Sequence, residues 1–473
     1  MLNLFFFVGL SYPNIYYRAQ IIIHNDIIMK KGEIVLRKIL VAGAGHGGLV
    51  AAATLAENWF DVTVIEKLNK DNIGHDWEDR FSFSILSDII GKPVDEFPVD
   101  SWRYRGDCSF VSPSKRKRVD IFYNDENRQK VMWRKPLINL LIENAELKGV
   151  KFIWNTEITG VLLNNNIICG LKTIDNDYYG DLIIDSAGVF SPVRMNLPKS
   201  YNIEKEPKYG DLFYAWRAYF DKTYNPDLKT PFEVYMYHEC EKGLSWCCTN
   251  DNTVDILIGR IYKLTKEKID EQLNIFRNDH NWIGNNIVNG GNYGIIPVRR
   301  PLTLMVGDNY AAVGDSAFMT MPMNGMGIDL SLNAGKLLSE TIIKNREKYF
   351  SVSELWEYNR EFHIKYGAFA SKNEGLKNAI LSIPSEGVDF LFENDVIQSS
   401  DLAGAGKNTN FKSLLGKLQR GVKEPKYFFA LINGLIRGGA ASKLYSNPPE
   451  IYNKDSVLKW SKAIVSKDIR ITE

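Results

Sequence analysis

Short apolar runs flank a small-residue stretch near the front of the chain. Ile39-Leu40-Val41-Ala42 is apolar throughout, residues 49–56 are small and mostly apolar, and Val62-Thr63-Val64-Ile65 is apolar again. Uninterrupted runs this short predict strands buried on both faces, joined by a helix, as in a parallel sheet. Apolar residues at 137, 138, 140, 141 and 142 predict an amphipathic helix over 136–147 that begins at Pro136. Residues 152–154 and 156–163 predict strands, with Asn164-Asn165-Asn166 as a hairpin turn. Residues 181–185 predict a buried strand running into Ser186-Ala187-Gly188. Alternating aromatics in 213–220 and 232–237 predict an antiparallel sheet, and from Ser331 onward the pattern is mainly helical. The apolar run 4–10 is too short to span a bilayer and lacks the basic start of a signal peptide.

These elements divide the 473 residues into four parts. Residues 1–36 are an extension, with Met29 as a second candidate start. A discontinuous nucleotide-type domain covers 37–204 and 297–345, an inserted antiparallel-sheet domain covers 205–296, and a helical region covers 346–473. A net charge of +1 gives no reason to expect a nucleic-acid partner. Five cysteines, few and odd in number, fit a reducing cytoplasm better than a disulfide framework. Lys115-Arg116-Lys117-Arg118 predicts a solvated hairpin or loop. Gly404-Ala405-Gly406-Lys407 imitates a phosphate loop but has the wrong spacing and is followed by Asn408. No metal is expected.

The chemistry begins at Gly43-Ala44-Gly45-His46-Gly47-Gly48, a G-x-G-x-x-G loop between the first strand and the small-residue helix. Gly43 permits the tight turn, Gly45 lets backbone approach a pyrophosphate, and Gly48 brings helix and strand together. The helix N-terminus offers free N–H groups to phosphates. The second strand ends at Glu66-Lys67, where an acid accepts hydrogen bonds from ribose hydroxyls; this favours FAD or NAD over NADP.

A second segment lies some 270 residues on: a strand delivers Gly314 and Asp315, and Pro322-Met323-Asn324-Gly325-Met326-Gly327-Ile328 opens a long helix. With Arg134 in Trp133-Arg134-Lys135-Pro136 and Gly188-Val189-Phe190-Ser191-Pro192-Val193-Arg194, these blocks resemble flavoproteins of the p-hydroxybenzoate hydroxylase superfamily, most closely the geranylgeranyl reductase branch. The resemblance spans residues 38 to about 340. It implies an α/β fold with a Rossmann-like FAD-binding domain, an inserted antiparallel-sheet substrate domain and a C-terminal helical region.

The resemblance also implies roles. Gly314 and Asp315 meet the ribityl and pyrophosphate; Gly325, Met326, Gly327 and Ile328 aim a helix N-terminus at the flavin pyrimidine, where a reduced flavin is anionic. Ala187 and Gly188 flank the cofactor, Arg134 lies beside it, and backbone near Ile158 meets the adenine. FAD is held non-covalently. Trp246 in Gly243-Leu244-Ser245-Trp246-Cys247-Cys248-Thr249 matches one of four marked positions of a strand that lines the branch's lipid cavity.

The implied activity is hydride transfer from reduced flavin to carbon–carbon double bonds of an isoprenoid or other apolar substrate. A flavin monooxygenase or halogenase, and a non-catalytic flavin or lipid carrier, are the alternatives. Ala187 and Phe318 replace residues that hydroxylases use, which argues against that branch. NAD(P)H and ferredoxin both stand open as electron donor. His75, His238, Cys247 and water are candidate proton donors. Basic residues Lys412, Lys417, Arg420, Lys423, Lys426, Arg437 and Lys443 interleave with apolar ones, a pattern that suits peripheral contact with a membrane or a helix packed on the substrate domain.

Overall fold

The computed structural model describes residues 29–30, 33–34, 36–124, 128–250, 252–403 and 424–468. The run 4–10, the segment Gly404-Ala405-Gly406-Lys407 and the basic residues Lys412, Lys417, Arg420 and Lys423 lie outside the described residues. The chain forms two units, residues 1–37 and 38–473. In the first, Met29–Lys30 pairs antiparallel with Glu33–Ile34.

The nucleotide-type domain of the second unit is built on a six-stranded sheet in the order Lys151–Ile153, Asp61–Ile65, Lys38–Ala42, Leu182–Asp185, Tyr310–Ala312, Val306–Gly307. The first five strands run parallel and the last is antiparallel. Ile39, Leu40, Val41 and Ala42 are wholly buried, as a strand covered on both faces requires. The helices His46–Glu57 and Ile328–Lys344 cross where Gly47 meets Gly335; any side chain on Gly335 would run into the Gly47 carbonyl. Both glycines are therefore fixed by close approach rather than by a turn.

Two helices start earlier than their apolar periodicity does, at His46 and Arg134 rather than at 49 and 136, while the long helix begins at Ile328, where the segment 322–328 opens it. The first-turn N–H groups need no intrahelical acceptor, so glycine, charged or polar residues open the helix before its apolar face begins.

The second sheet has seven strands: Ile283–Pro297, Leu212–Lys222, Val254–Arg260, Gly243–Thr249, Phe232–Met236, Cys108–Val111 and Arg118–Ile121. Five come from within or just beyond residues 205–296. The other two come from the preceding segment, joined by parallel pairing of Phe232 with Cys108. The tract 115–118 is the turn and edge of that hairpin. Its charges pair with Asp279, Glu393, Asp395 and Glu233 rather than standing in solvent alone.

Strand alternation gives this sheet two different faces. Trp216, Phe220, Tyr235, Cys247, Ile256 and Ile258 pack under the helix Lys266–Asp279 through Phe276 and Leu273. The opposite face carries Cys108, Phe232, Val234 and Cys248, with Leu244 and Trp246 beside them. It looks toward a small three-stranded sheet, Glu78–Arg80, Lys130–Trp133 and Trp102–Tyr104. The two are tied by Glu78 N–H donating to Tyr219 Oη at 2.9 Å and by Arg217 donating to the Glu78 carbonyl at 2.7 Å.

Helices Ala368–Leu381, Ser385–Glu393 and Pro425–Tyr445 close the far end, burying Ile383, Leu391, Phe392 and Phe428 with Tyr237. Pro425–Tyr445 packs through Gly434 and Gly438 against Gly375 and leaves Phe429 and Ile436 exposed. No helix among the described residues is long and apolar enough to cross a membrane.

Candidate functional site

The predicted dinucleotide residues converge on the carboxyl edge of the parallel sheet, where an open α/β sheet keeps its ligand crevice. Gly43 follows Lys38–Ala42 with φ of +82°, a conformation that favours glycine. Its neighbours close on Ser186, the residue after Leu182–Asp185: a Cβ on Gly48 would lie 2.6 Å from Ser186 Cβ, and one on Gly45 would overlap Ser186 Oγ. Strand and loop are thus fitted to one another through a serine that the sequence reading placed only as the start of Ala187-Gly188.

Glu66 ends Asp61–Ile65 and is buried. Its Oε2 accepts from Ala44 N–H and its Oε1 from Leu68 N–H, at 2.8 and 2.9 Å. The carboxylate therefore braces the glycine loop from behind, and its remaining lone pairs are available to hydroxyl groups. Lys67 beside it is exposed. Glu66 N–H donates to the Ile153 carbonyl and Thr156 N–H to the Glu66 carbonyl, both at 2.9 Å. Residues 153–156 consequently lie nearer this end than Ile158, whose side chain is in the core.

At the other end, Gly314 (φ +71°) and Asp315 follow Tyr310–Ala312. Asp315 accepts from Thr320 Oγ1 at 3.4 Å. Burial raises its carboxyl above the ordinary range, opposed by the Arg134 charge and by Thr320. Gly325 has φ of +69°, and Gly325, Met326 and Gly327 lead into Ile328–Lys344 with no side chain capping the helix. His46–Glu57 is also uncapped. Two helix N-termini with open donors thus bracket the same edge.

Between them sits a group that sequence reading saw only in part. Arg134 donates to both oxygens of Asp79, Nε at 2.6 Å and a terminal nitrogen at 2.7 Å. Burial would raise the Asp79 carboxyl, but Arg134, Arg217 and His46 outweigh it and hold it below the usual carboxylate range. His46 and His75 are both pushed down to about 4, chiefly by burial and then by Arg134. His46 Nε2 and Trp77 Nε1 are buried without a hydrogen-bond partner. Asp79 was missed; its signal was the charged and aromatic run Gly74-His75-Asp76-Trp77-Glu78-Asp79-Arg80 directly after the first strand–helix–strand unit.

The inner face of the seven-stranded sheet adjoins this group. The Trp77 ring fills the slot left by Gly294, and the Phe213 ring the slot left by Gly259. Trp246 is half-buried, stands edge-on to Phe232 at 5.8 Å, and faces the Arg217 guanidinium at 5.0 Å. Arg217 is itself paired with Asp255 at 2.7 and 2.8 Å, and Arg103 with Glu78 at 2.6 Å. The result is an apolar floor beneath a roof of paired charges.

The faces also separate the candidate proton donors. His238 stacks on Tyr235 at 4.5 Å and lies against Phe276, so it belongs to the outer face, as does Cys247. His75 stacks on Trp77 at 4.5 Å, on the inner side. A separate cavity of about 490 Å³, lined by Phe190, Lys208, Tyr209, Tyr214 and Tyr262, opens elsewhere. Tyr214 reaches it from the strand face opposite to Arg217, so it is not the chamber described here.

Residues 41–78 match a family model described as an NAD(P)-binding Rossmann-like domain. Digeranylgeranylglycerophospholipid reductases of Haloferax volcanii and Sulfolobus acidocaldarius are each 22% identical, over 75% and 90% of this chain and 88% and 96% of theirs. A geranylgeranyl bacteriochlorophyll reductase-like structure from Thermoplasma acidophilum superposes with a TM-score of 0.65 at 16% identity, covering 85% of this chain and all of that one. The myxobacterial halogenase CndH, titled a variant of FAD-dependent halogenases, superposes at 0.56 and 14% identity over 91% of this chain and 97% of its own. The resemblance carried by the motifs thus holds along most of the chain, and the fold is the flavoprotein fold it implied.

Proposed function

We propose that this FAD-dependent oxidoreductase of the geranylgeranyl reductase family reduces carbon–carbon double bonds of an isoprenoid lipid. The observation that carries the reading is the placement of the half-buried, apolar Trp246 face next to the edge built for a dinucleotide. Fold alone does not separate reductase from halogenase, because one scaffold hosts both; the full-length relatives named as lipid reductases favour the first.

The residues present fit FAD. Gly43, Ala44, Gly45, His46, Gly47 and Gly48 form a cradle that leaves no room for side chains at Gly45 and Gly48 and ends on an uncapped helix. Glu66, with Lys67 and the backbone of 153–158, would hold the adenosine, and Ala187, Gly188, Gly314 and Asp315 the pyrophosphate and ribityl. Gly325, Met326, Gly327 and Ile328 would face the flavin ring, whose reduced form supplies the hydride. Arg134, tied to Asp79, would orient that end and stabilise negative charge there.

The protein's share of the chemistry is to bind, align and dry the substrate. Trp246, Phe232, Val234 and Leu244 offer an apolar wall that keeps water from the alkene. His75, held neutral at pH 7, accepts or donates a hydrogen bond but is a weak acid, so water would deliver the proton that balances the hydride. Phe318, between the Arg194 and Arg299 guanidinium groups at 4.6 and 4.8 Å, is a structural clamp.

The test is anaerobic turnover of FAD-loaded protein, chemically reduced, with a polyprenyl substrate. A gain of two hydrogens per double bond, read by mass spectrometry, supports the reading. An oxygen-dependent product with an added oxygen or halogen overturns it in favour of the monooxygenase or halogenase alternative. Supplying NADH, NADPH or reduced ferredoxin in place of the chemical reductant then identifies the donor.

A further inference from the structure

A cavity of about 490 Å³ lies where the nucleotide-type domain meets the seven-stranded sheet, and the proposed chemistry does not use it. Its size is that of small-molecule sites, roughly 300–1,000 Å³, and such sites favour domain junctions. Phe190 reaches it from the loop after Gly188, and Tyr209 from the segment joining the two domains. Tyr214 reaches it from Leu212–Lys222, and Tyr262 and Lys263 from just beyond Val254–Arg260. The joining segment is held in place. Buried Lys377 donates to the Gly210 carbonyl at 2.7 Å, and Asp211 accepts from Lys208 N–H at 2.9 Å and from Arg299 at 3.0 Å. The wall is therefore formed before anything binds.

That wall is electropositive. Arg260 is 3% exposed, and register sets it directly across from Tyr214 on the same sheet face. Its guanidinium donates to Ser245 Oγ, the Gly259 and His238 carbonyls and Gln272 Oε1, at 2.9, 2.9, 3.2 and 2.5 Å, all of them uncharged. Among the described residues it forms no ion pair; Glu241 meets it by way of the Tyr262 hydroxyl, which bonds both. At the rim, Lys263 is exposed and forms no ion pair among the described residues. Lys208 reaches Asp468 at 3.6 Å, and Glu206 is the carboxylate on the wall.

Burying a guanidinium without a carboxylate is costly, and an anion in the adjoining space offsets part of that cost. Two rings stand open at the same cavity, Phe190 at 53% and Tyr209 at 38% exposure. Open ring faces suit a planar ring system, and the cations beside them suit a phosphate. We infer that this cavity is a second nucleotide site, taking the base on Phe190 and Tyr209 and the phosphate at Lys263 and the Tyr214 hydroxyl, in the field of Arg260. It is separate from the flavin edge and does not rest on alkene reduction. Adenine phosphates come both free and as the adenosine half of a nicotinamide reductant, so the test has an arm for each source.

The probes are ADP and adenosine, titrated by calorimetry into FAD-loaded full-length protein, so that the flavin edge is already filled. ADP should bind about tenfold or more tightly than adenosine, as charge-assisted bonds to a phosphate require. Lys263→Ala should remove most of that difference. Phe190→Ala should weaken both probes about fivefold or more, the loss of one stacked ring. Both side chains are exposed, so the melting temperature and flavin absorbance of these variants should stay at wild-type values. Tyr214→Phe, which deletes only the hydroxyl, should weaken ADP more than adenosine.

ADP that fails to bind, that binds only by expelling flavin, or that binds Lys263→Ala and Phe190→Ala as well as wild type overturns the site. Reduction of the flavin by NADPH then assigns the source. Competition by ADP, with a raised KM for NADPH in Lys263→Ala, makes the nucleotide the reductant's own. Reduction indifferent to ADP makes it a free nucleotide. Both results keep the site, and both stand whether or not the protein reduces an alkene.

Discussion

Arg134 and Asp79 lie 55 residues apart, yet their side chains meet through two parallel hydrogen bonds at 2.6 and 2.7 Å, beside Asp315. The pair is largely shielded, with 24% and 14% of the side chains exposed. Asp79→Ala should lower stability by somewhat less than the roughly 3–5 kcal/mol of a fully buried pair, because some solvent screens it. FAD affinity should fall with it. Melting curves of flavin-loaded and flavin-stripped protein, compared with wild type, check both; an unchanged melt in either form would reduce the pair to an incidental contact.

Glu66 accepts from one backbone N–H of the glycine loop, Ala44, and from that of Leu68, two residues beyond itself. Glu66→Ala should therefore destabilise the flavin-free protein by about 1–3 kcal/mol, the cost of leaving buried donors unpaired, and also weaken FAD. Glu66→Gln, which keeps one acceptor oxygen, should fall between. Fluorescence titration with FAD and chemical denaturation resolve the two effects.

The loop residues Gly45 and Gly48 owe their identity to Ser186 as much as to a ligand. Gly45→Ala should cost about 1–3 kcal/mol by overpacking. Ser186→Ala in the same chain should recover much of that, because it removes the overlapping hydroxyl, yet flavin binding should stay impaired. A double variant that recovers both would place the pyrophosphate away from Gly45.

Most of this edge was legible in the sequence because each part is local. Turn, helix start and strand end lie within 28 residues at Lys38–Ile65, and Gly314 with Asp315 follows one strand. What could not be read was pairing at long range. Cys108 beside Phe232, and Arg134 on Asp79, depend on which strands the fold brings together. Alternation alone predicts that Trp246 and Cys247 point to opposite faces, but it does not say which face receives a helix. That choice removed His238 and Cys247 from the chamber and left Trp246 in it.

Trp246→Ala should destabilise by less than the roughly 3–5 kcal/mol of a fully enclosed aromatic, since it is half-buried. Its effect should instead be on the substrate: altered KM or a changed pattern of reduced double bonds, with FAD content near wild type. A large fall in melting temperature with unaltered products would make it ordinary sheet core.

Four histidines are held neutral by burial: His46 and His75 at about 4, His238 and His363 at about 3. Each folded value lies below the ordinary 6.5, so below about pH 6.5 the unfolded chain binds protons that the native chain refuses. Stability is fully present above that point and declines as the pH falls toward 4 and then 3. Neither ring nitrogen of His238 has a hydrogen-bond partner, Glu239 Oε1 lying 3.8 Å from Nε2, while its carbonyl accepts from Arg260. His238→Phe should keep stability at pH 7 within about 1 kcal/mol and flatten part of the acid decline. Denaturation midpoints measured from pH 7 to pH 4 give the comparison.

The crossing of Gly47 and Gly335 locks His46–Glu57 to Ile328–Lys344 backbone to backbone. With FAD placed as proposed, the donor ends of these two helices are the jaws of a caliper whose opening that crossing sets. FMN would occupy one jaw and AMP the other, each forfeiting half the grip. Only a ligand that joins both in one covalent span engages the two jaws while losing its freedom of motion once. Bulkier residues at the pivot would change the gap itself, and with it the length of cofactor the protein accepts.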